Sequence, residues 1–447
     1  MSCCDKNFMV VRMMDPAIIG IIGFFVMFAL LFLGMPLGLG MAFVGFGGFA
    51  MISGIDGALN QLGRVPYSTV ASYTFSVLPL FVLMGEWLSH SGMMTKSFGA
   101  VQKTIGRLPG GLAMGTVATC TLFAACTGSS LATSLTMTRV SLPSMRQYKY
   151  DDKLSLGAIA AGGTLGILLP PSTPMIVYSI MTGASIGSLF IGGIIPGLLL
   201  SAMFMLGIYV QCKVKPELGP ASEKSTLSEI LASSKSLWMP FLLVFLVLGG
   251  IWGGVFSSSE AGGIGAFFAL VTLVMLKGFD MPAILAGLKD TVLTTAMILL
   301  IVMGAMIFGE FMTISGVTTM LAEFFTSLPL GSTGILIMIL LMYILLGCVL
   351  DSLAMILLTL PLIFPVIESI GVDPILFGIL LVITIEMSYI TPPLGMVVFA
   401  LAGAVQDVPM SKIFRGSMPF FVIMVIFLGI LVAFPEIVLW LPESMKS

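Results

Sequence analysis

Polar residues are so sparse in this chain that the apolar stretches between them lay out its architecture. Runs long enough for a membrane helix, which needs ~20 mostly apolar residues, fall at 17–35, 37–54, 70–91, 153–181, 186–211, 236–255, 260–277, 291–314, 374–401 and 417–440. Two further stretches, 111–141 and 332–366, are interrupted near the middle by polar residues, CTGSSLATS in the first and CVLDSLAM in the second. The pattern predicts that both enter and leave on one side as re-entrant hairpins, which leaves ten crossings. Two of the ten carry adjacent prolines, Pro170-Pro171 and Pro392-Pro393. Proline lacks an N–H and clashes with the preceding turn, so 153–181 and 374–401 are expected to be broken helices. Irregular backbone at membrane depth persists only where protein or a wet cavity surrounds it.

The interruptions recur. LLPPSTPMIVYSIMTG and YITPPLGMVVFALAG lie roughly 222 residues apart, and GEWLSHSG (Gly85 to Gly92) matches GEFMTISG (Gly309 to Gly316). Cys126 pairs with Cys348, Ser130 with Ser352 and Asp151 with Asp373. Each half holds five crossings and one hairpin, and an odd number of crossings turns the second half upside down. The expected fold is therefore an all-α polytopic membrane protein built as an inverted-topology repeat with two discontinuous helices. The chain divides into an N-terminal tail (1–16), a first repeat (17–211), a polar linker (212–235), a second repeat (236–440) and a C-terminal tail (441–447). Between the third crossing and the first hairpin, Phe98, Val101, Ile105 and Leu108 recur at helical spacing. They predict a short helix in the interface plane, with a counterpart in GVTTMLAEFFTSLP.

Composition supports a lipid setting. Of 447 residues, 58% are apolar and only 9% charged, with mean hydropathy +1.14; a soluble domain carries about 25% charged residues. With the N-terminus outside, fifteen of the nineteen Lys and Arg fall in inside loops, and only Lys6, Arg12, Arg64 and Lys446 stay outside. That bias is the positive-inside pattern. It places both termini outside, makes the 212–235 linker cytoplasmic, and opens the two hairpins to opposite faces. No basic block suggests nucleic acid, and no phosphate-loop motif suggests a nucleotide. The six cysteines show no metal spacing and read as reduced packing residues. Segment 17–33 reads as a retained first helix rather than a removed signal peptide.

Candidate chemistry concentrates at the hairpin tips and the helix breaks. Helix ends expose unpaired backbone groups: carbonyl ends attract cations and N-terminal ends attract anions. Tip 1 adds Gly128, Ser129 and Ser130, facing Pro170, Pro171, Ser172 and Thr173. Tip 2 adds Asp351 and Ser352, facing Thr391, Pro392, Pro393 and Gly395. Together they offer the hard oxygen ligands a small dehydrated cation needs. Asp351 is a candidate because an intramembrane carboxylate is functional by default. Glu86 and Glu310, near helix ends, read as structural; Glu386, inside the second broken helix, is open to either role. The single histidine, His90, cannot build a multi-histidine metal site and reads as structural. A passive channel and an intramembrane hydrolase using Ser129 or Ser130 are the alternatives from other classes. A nucleophilic serine needs an adjacent base, and none is evident.

SLGAIAAGGTLGILLPPSTPMIVYSIMTGASIGSLFIGGIIPGLLL resembles the signature of the large membrane (M) subunit of TRAP transporters, the tripartite ATP-independent periplasmic transporters of the DctM-like family. GGIWGGVFSSSEAGGIGAFFALV, GSSLAT, GCVLDSLAMILLTLPLIFPV and ITPPLGMVVF resemble further family motifs, so the likeness covers about residues 17–435. It departs after Val255, where Phe-Ser-Ser-Ser-Glu replaces a Thr-Pro-Thr-Glu-like stretch. The resemblance implies a non-enzymatic inner-membrane importer that works with a small membrane (Q) subunit and a periplasmic substrate-binding (P) protein. It implies Na⁺-driven uptake of an organic acid (C4-dicarboxylate, sialic acid or keto acid) by an elevator movement, as in the ion-transporter superfamily. Carried onto this chain, one Na⁺ site would use Gly128, Ser129 and Ser130 with Pro170, Pro171, Ser172 and Thr173. The other would use Asp351 and Ser352 with Thr391, Pro392, Pro393 and Gly395. The substrate carboxylate would lie between the tips, near Ser129, Ser130, Thr173, Asp351 and Ser352.

Overall fold

The computed structural model describes residues 15–221 and 226–445, and among these every regular element is a helix. In chain order, α1 (Pro16–Phe32), α2 (Leu37–Ser53) and α3 (Ile55–Val70) lead into α4 (Val77–His90) and a short α5 (Met93–Ile105). α6 (Gly111–Thr127) and α7 (Ser130–Gln147) form the first hairpin. α8 (Asp152–Leu168) and α9 (Thr173–Thr182) are the pieces of the first broken helix, and α10 (Ile186–Val214) follows. α11 (Leu227–Ser234) lies in the linker. The second half runs through α12 (Trp238–Trp252), α13 (Ser258–Lys277), α14 (Met281–Ile314) and the short α15 (Val317–Ser327). Its hairpin is α16 (Gly331–Gly347) and α17 (Ser352–Ser369), and its broken helix is α18 (Pro374–Tyr389) and α19 (Met396–Ala404). α20 (Met410–Ala433) and α21 (Glu436–Ser444) complete the chain.

Matched sequence positions make matched local structure. Asp151 and Asp373 are the N-caps of the two broken helices: Asp151 Oδ1 accepts the Lys153 N–H at 2.7 Å and Asp373 Oδ1 the Ile375 N–H at 2.7 Å. Each satisfies an otherwise orphaned first-turn donor. The two Gly-Glu motifs end in the same turn, where Ser91 Oγ donates to the Leu88 carbonyl and Ser315 Oγ to the Met312 carbonyl. Gly92 and Gly316 follow in left-handed conformation (φ +74 and +76). Both helices interrupt at their prolines, and both Pro-Pro bonds are cis. The unfamiliar Phe-Ser-Ser-Ser-Glu stretch is a capping box: Ser257 and Glu260 satisfy each other's backbone N–H groups at the start of α13.

Several boundaries differ from the sequence reading. α3 was not expected, because Asn60, Gln61 and Arg64 dilute its apolar face. That face is nonetheless held down: Gln61 Nε2 donates to the Ile307 carbonyl at 3.0 Å and Arg64 pairs with Glu310 at 2.7 Å. α14 begins ten residues before the expected 291, since Asp280 caps it and Pro282 sits in its first turn. The expected 417–440 span is two helices parted at Phe434-Pro435, and Lys412 and Arg415 lie within α20. Among the described residues, six helices are long and apolar enough to cross a membrane, or up to eight when bent pairs count as one span each, against the ten expected. α1 and α2, of 17 residues each, fall short of that length. The six include α17, an arm of hairpin 2, since an apolar hairpin arm and a span are alike in length.

The first broken helix is the centre of the packing, with every residue from Leu154 to Leu168 buried. It can be reached so closely because glycines face it. A Cβ at Gly157 would overlap the Gly416 carbonyl of α20, and a Cβ at Gly416 would overlap the Lys153 carbonyl. Gly38 and Gly304 make the same kind of contact between α2 and α14. Small residues at such crossings let backbones approach, the main source of helix association in lipid. Gly416→Ala should therefore lower unfolding stability by about 1–3 kcal/mol. Gly429→Ala on the same helix, which meets nothing within 4 Å, should not. Thermal melts of the two purified variants in detergent compare them directly; equal melting would remove the close-approach explanation.

Candidate functional site

Both hairpin tips open on one cavity of about 240 Å³. Gly128, Ser129 and Ser130 line it from tip 1, and Asp351, Ser352 and Leu353 from tip 2. The broken helices contribute Ile167, Thr173, Tyr389 and Met396, and α14 contributes Thr294, Met297 and Ile298. Among the described residues, Asp351 carries the only formal charge on these walls, and no Lys or Arg lines them.

Tip 1 is held by hydroxyls and one glycine. Gly128 takes φ +60 at the end of α6, and a Cβ there would stand 2.9 Å from the Pro171 carbonyl oxygen. The tip backbone thus lies against the first break. Ser130 Oγ donates to the Thr164 carbonyl at 3.2 Å, and Thr133 Oγ1 donates to the Ser129 carbonyl at 2.8 Å. Thr127 and Thr133 share a hydroxyl–hydroxyl bond of 2.8 Å. At the break itself, Ser172 is fully buried and its Oγ has no hydrogen-bond partner among the described residues. A buried hydroxyl left unpaired costs ~1–3 kcal/mol.

Tip 2 is held by a carboxylate. Asp351 caps α17, its Oδ1 accepting the Ala354 N–H at 2.7 Å. The next N–H, of Ser352, donates to Tyr389 Oη at 2.9 Å, and Cys348 Sγ donates to the Pro392 carbonyl at 3.5 Å. These bonds fasten the tip to the end of α18 and to the backbone of the second break. Gly395 follows in left-handed conformation (φ +51), with a Cβ position only 2.7 Å from the Phe414 ring.

The expected residues are not all brought to one place. Gly128, Ser129, Ser130, Thr173, Asp351 and Ser352 converge on the central cavity. Pro171 instead lines a second cavity of about 180 Å³ beside tip 1, shared with Gly128, Ser129, Thr173, Glu86 and Thr294. Pro170 and Ser172 are packed behind the first break. Thr391 Oγ1 turns back to the Met387 carbonyl at 2.6 Å, while Pro392 and Pro393 are exposed. The first break is therefore buried and the second open. Of the remaining acids, Glu310 is ion-paired with Arg64. Glu386 is fully buried against the Ile167 and Leu168 backbone, with neither carboxyl oxygen hydrogen-bonded within normal geometry. Cys120, Cys212 and Cys348 are free and buried, and Cys3 and Cys4 lie outside the described residues.

Sequence reasoning missed Tyr389 and Thr294. Tyr389 was legible in principle, as an aromatic with a polar handle just before a helix break; Thr294 carried no signal beyond a hydroxyl in an apolar run. A serine nucleophile finds no support: Ser130 Oγ is donated to a carbonyl, and His90 Nε2 faces Asp290 Oδ2 at 3.3 Å on another helix.

The chain has recognisable relatives among known proteins. Residues 24–437 match the family described as "Tripartite ATP-independent periplasmic transporter, DctM component". The chain is 31% identical to the sialic acid TRAP transporter large permease protein SiaM of Vibrio cholerae, over 93% of this chain and 96% of that one. It is 32% identical to the C4-dicarboxylate TRAP transporter large permease protein DctM of Pseudomonas aeruginosa, over 87% and 93%. Both are named as transporter permeases, not enzymes. The Alcanivorax borkumensis YdaH transporter shares the fold, with TM-score 0.64 at 13% identity over 85% of this chain and 90% of that one.

Asparagine caps helices as well as aspartate does. In Na⁺-free buffer, Asp351→Asn should therefore leave hydrogen exchange at residues 352–355 unchanged, whereas Asp351→Ala should speed it by the loss of about 1 kcal/mol. Equal exchange in the two variants would mean the cap does not hold tip 2.

Proposed function

The chain belongs to the DctM component family of the tripartite ATP-independent periplasmic transporters, and on that premise we propose that it is the large permease subunit of a Na⁺-coupled organic-acid importer. The observation that carries the coupling is electrostatic. A carboxylate substrate between the tips shares about 240 Å³ with Asp351, and among the described residues no basic side chain lines that space. Two like charges ~5 Å apart repel by about 3 kcal/mol at an effective dielectric of 20. A co-bound cation removes that repulsion, and tip hydroxyls, Asp351 and the carbonyls freed at the breaks are the hard oxygen ligands Na⁺ takes.

In this reading Ser129, Ser130 and the unpaired Ser172 hydroxyl serve a cation at the first break, with the Pro170, Pro171 and Thr173 backbone. Asp351 and Ser352 serve one at the second break, with Thr391, Pro392, Pro393 and Gly395. The wall formed by α14 is the fixed side, and the tips with their broken helices move past it as an elevator between the two faces. Each half contributes one tip and one break in inverted orientation, in the inner membrane, with both termini periplasmic. A tripartite system implies a small membrane subunit and a periplasmic binding protein that delivers the acid. The substrate class is that of the named relatives, a sialic acid or a C4-dicarboxylate, or else a keto acid.

Reconstituted in proteoliposomes with its partners, the protein should take up its acid only with inward Na⁺, and Asp351→Asn should cut uptake at least about tenfold, the effect of ~1.4 kcal/mol. Replacing Pro170-Pro171 or Pro392-Pro393 by Ala-Ala should also impair uptake. Full transport when K⁺ replaces Na⁺, or unchanged Na⁺ dependence in Asp351→Asn, would contradict the coupling.

A further inference from the structure

The one histidine of the chain does not stand alone. Glu86 and His90 are four residues apart on α4, a spacing that stacks them on one helix face, and Asp290 of α14 crosses opposite them. One ligand atom from each, two carboxylate oxygens and an imidazole nitrogen, lie within 4.8 Å of one another, and all three side chains are half-buried. Among the described residues this is the only trio of His, Cys, Asp or Glu so arranged. His90 Nε2 is already 3.3 Å from Asp290 Oδ2.

We propose that Glu86, His90 and Asp290 form a binding site for a divalent transition metal of the Zn²⁺ class. Zinc takes imidazole nitrogen and carboxylate oxygen at ~2.0–2.2 Å in tetrahedral geometry, commonly three protein ligands and a water. Tetrahedral bonds of that length set ligand atoms about 3.4 Å apart, so the trio must close by little more than 1 Å, within the reach of side-chain rotation. The backbone frame is stiff enough to hold the ligands ready. Trp87 Nε1 donates to the Ile284 carbonyl at 3.2 Å, and the Trp87 ring fills the space over Gly287, pinning α4 to α14 between the ligands. The donor set excludes the hard divalent cations, because Ca²⁺ asks for 6–8 oxygens and Mg²⁺ for near-octahedral oxygen.

Zn²⁺ titration of the full chain purified in detergent, in competition with a chromophoric chelator, reads the site without any transport assay. Cysteines bind zinc equally in all variants, so the difference between them isolates the trio. The wild-type protein should bind one Zn²⁺ per chain more than His90→Ala, and Glu86→Gln and Asp290→Asn should each lose at least about tenfold in affinity for it. A hundredfold excess of Ca²⁺ should not displace it. Identical zinc stoichiometry and affinity in wild type and in those variants that melt like wild type would overturn the site, leaving only an interhelical hydrogen bond; so would displacement by Ca²⁺.

Discussion

Everything at the centre of this protein follows from two places where a deeply placed helix is forced to stop. Adjacent prolines remove backbone donors and release the carbonyls of the turn before them, and an apolar interior offers no water to meet those groups. The chain meets them with the tips of two hairpins. Tip 1 lies against the Pro171 carbonyl through Gly128 and ties itself to Thr164 through Ser130. Tip 2 reaches the Pro392 carbonyl through Cys348 and Tyr389 through the Ser352 N–H. Because each break needs a tip, and the breaks sit side by side, the two tips share one cavity.

The two ends of that cavity are unequal. Tip 1 offers neutral hydroxyls against a buried break, and tip 2 a carboxylate against an exposed one. Asp351 is at once the cap that shapes its helix and the sole charge on the walls, so structure and chemistry meet in one side chain. The halves are also joined away from the cavity. Arg146, at the end of hairpin 1, pairs with Asp152 and with Asp407 of the second half at 2.9 Å each, and Lys412 lies 3.4 Å from Asp151. These pairs are partly exposed and individually worth ~0–1 kcal/mol. Their arrangement matters more than their strength, because they fix the entrance of the first broken helix relative to the loop that follows the second.

Much of this was legible in the sequence, for identifiable reasons. Proline pairs and polar interruptions are strong local signals, so the helix breaks and the polar turns at 128–129 and 348–351 fall where they were expected. The matched aspartates 151 and 373 became matched caps because capping depends on neighbours two or three residues away. What failed was anything decided by contact between distant segments. Arg64 and Gln61 mark α3 as polar in sequence, and only their partners on α14 make it part of the packed structure. Thr294 and Tyr389 acquire their place in the cavity from the crossing of helices, to which no spacing rule points. The proline runs also misled in detail: Thr391, Pro392 and Pro393 do not line the shared space, and only the Pro392 carbonyl meets tip 2, through Cys348.

The central claim is that the tips bind cations, and hydrogen exchange at the tips tests it most directly. Amides of residues 127–133 and 348–355 should exchange more slowly in Na⁺ than in equimolar K⁺, with the remaining helices unaffected. Equal exchange at both tips in the two salts would contradict it.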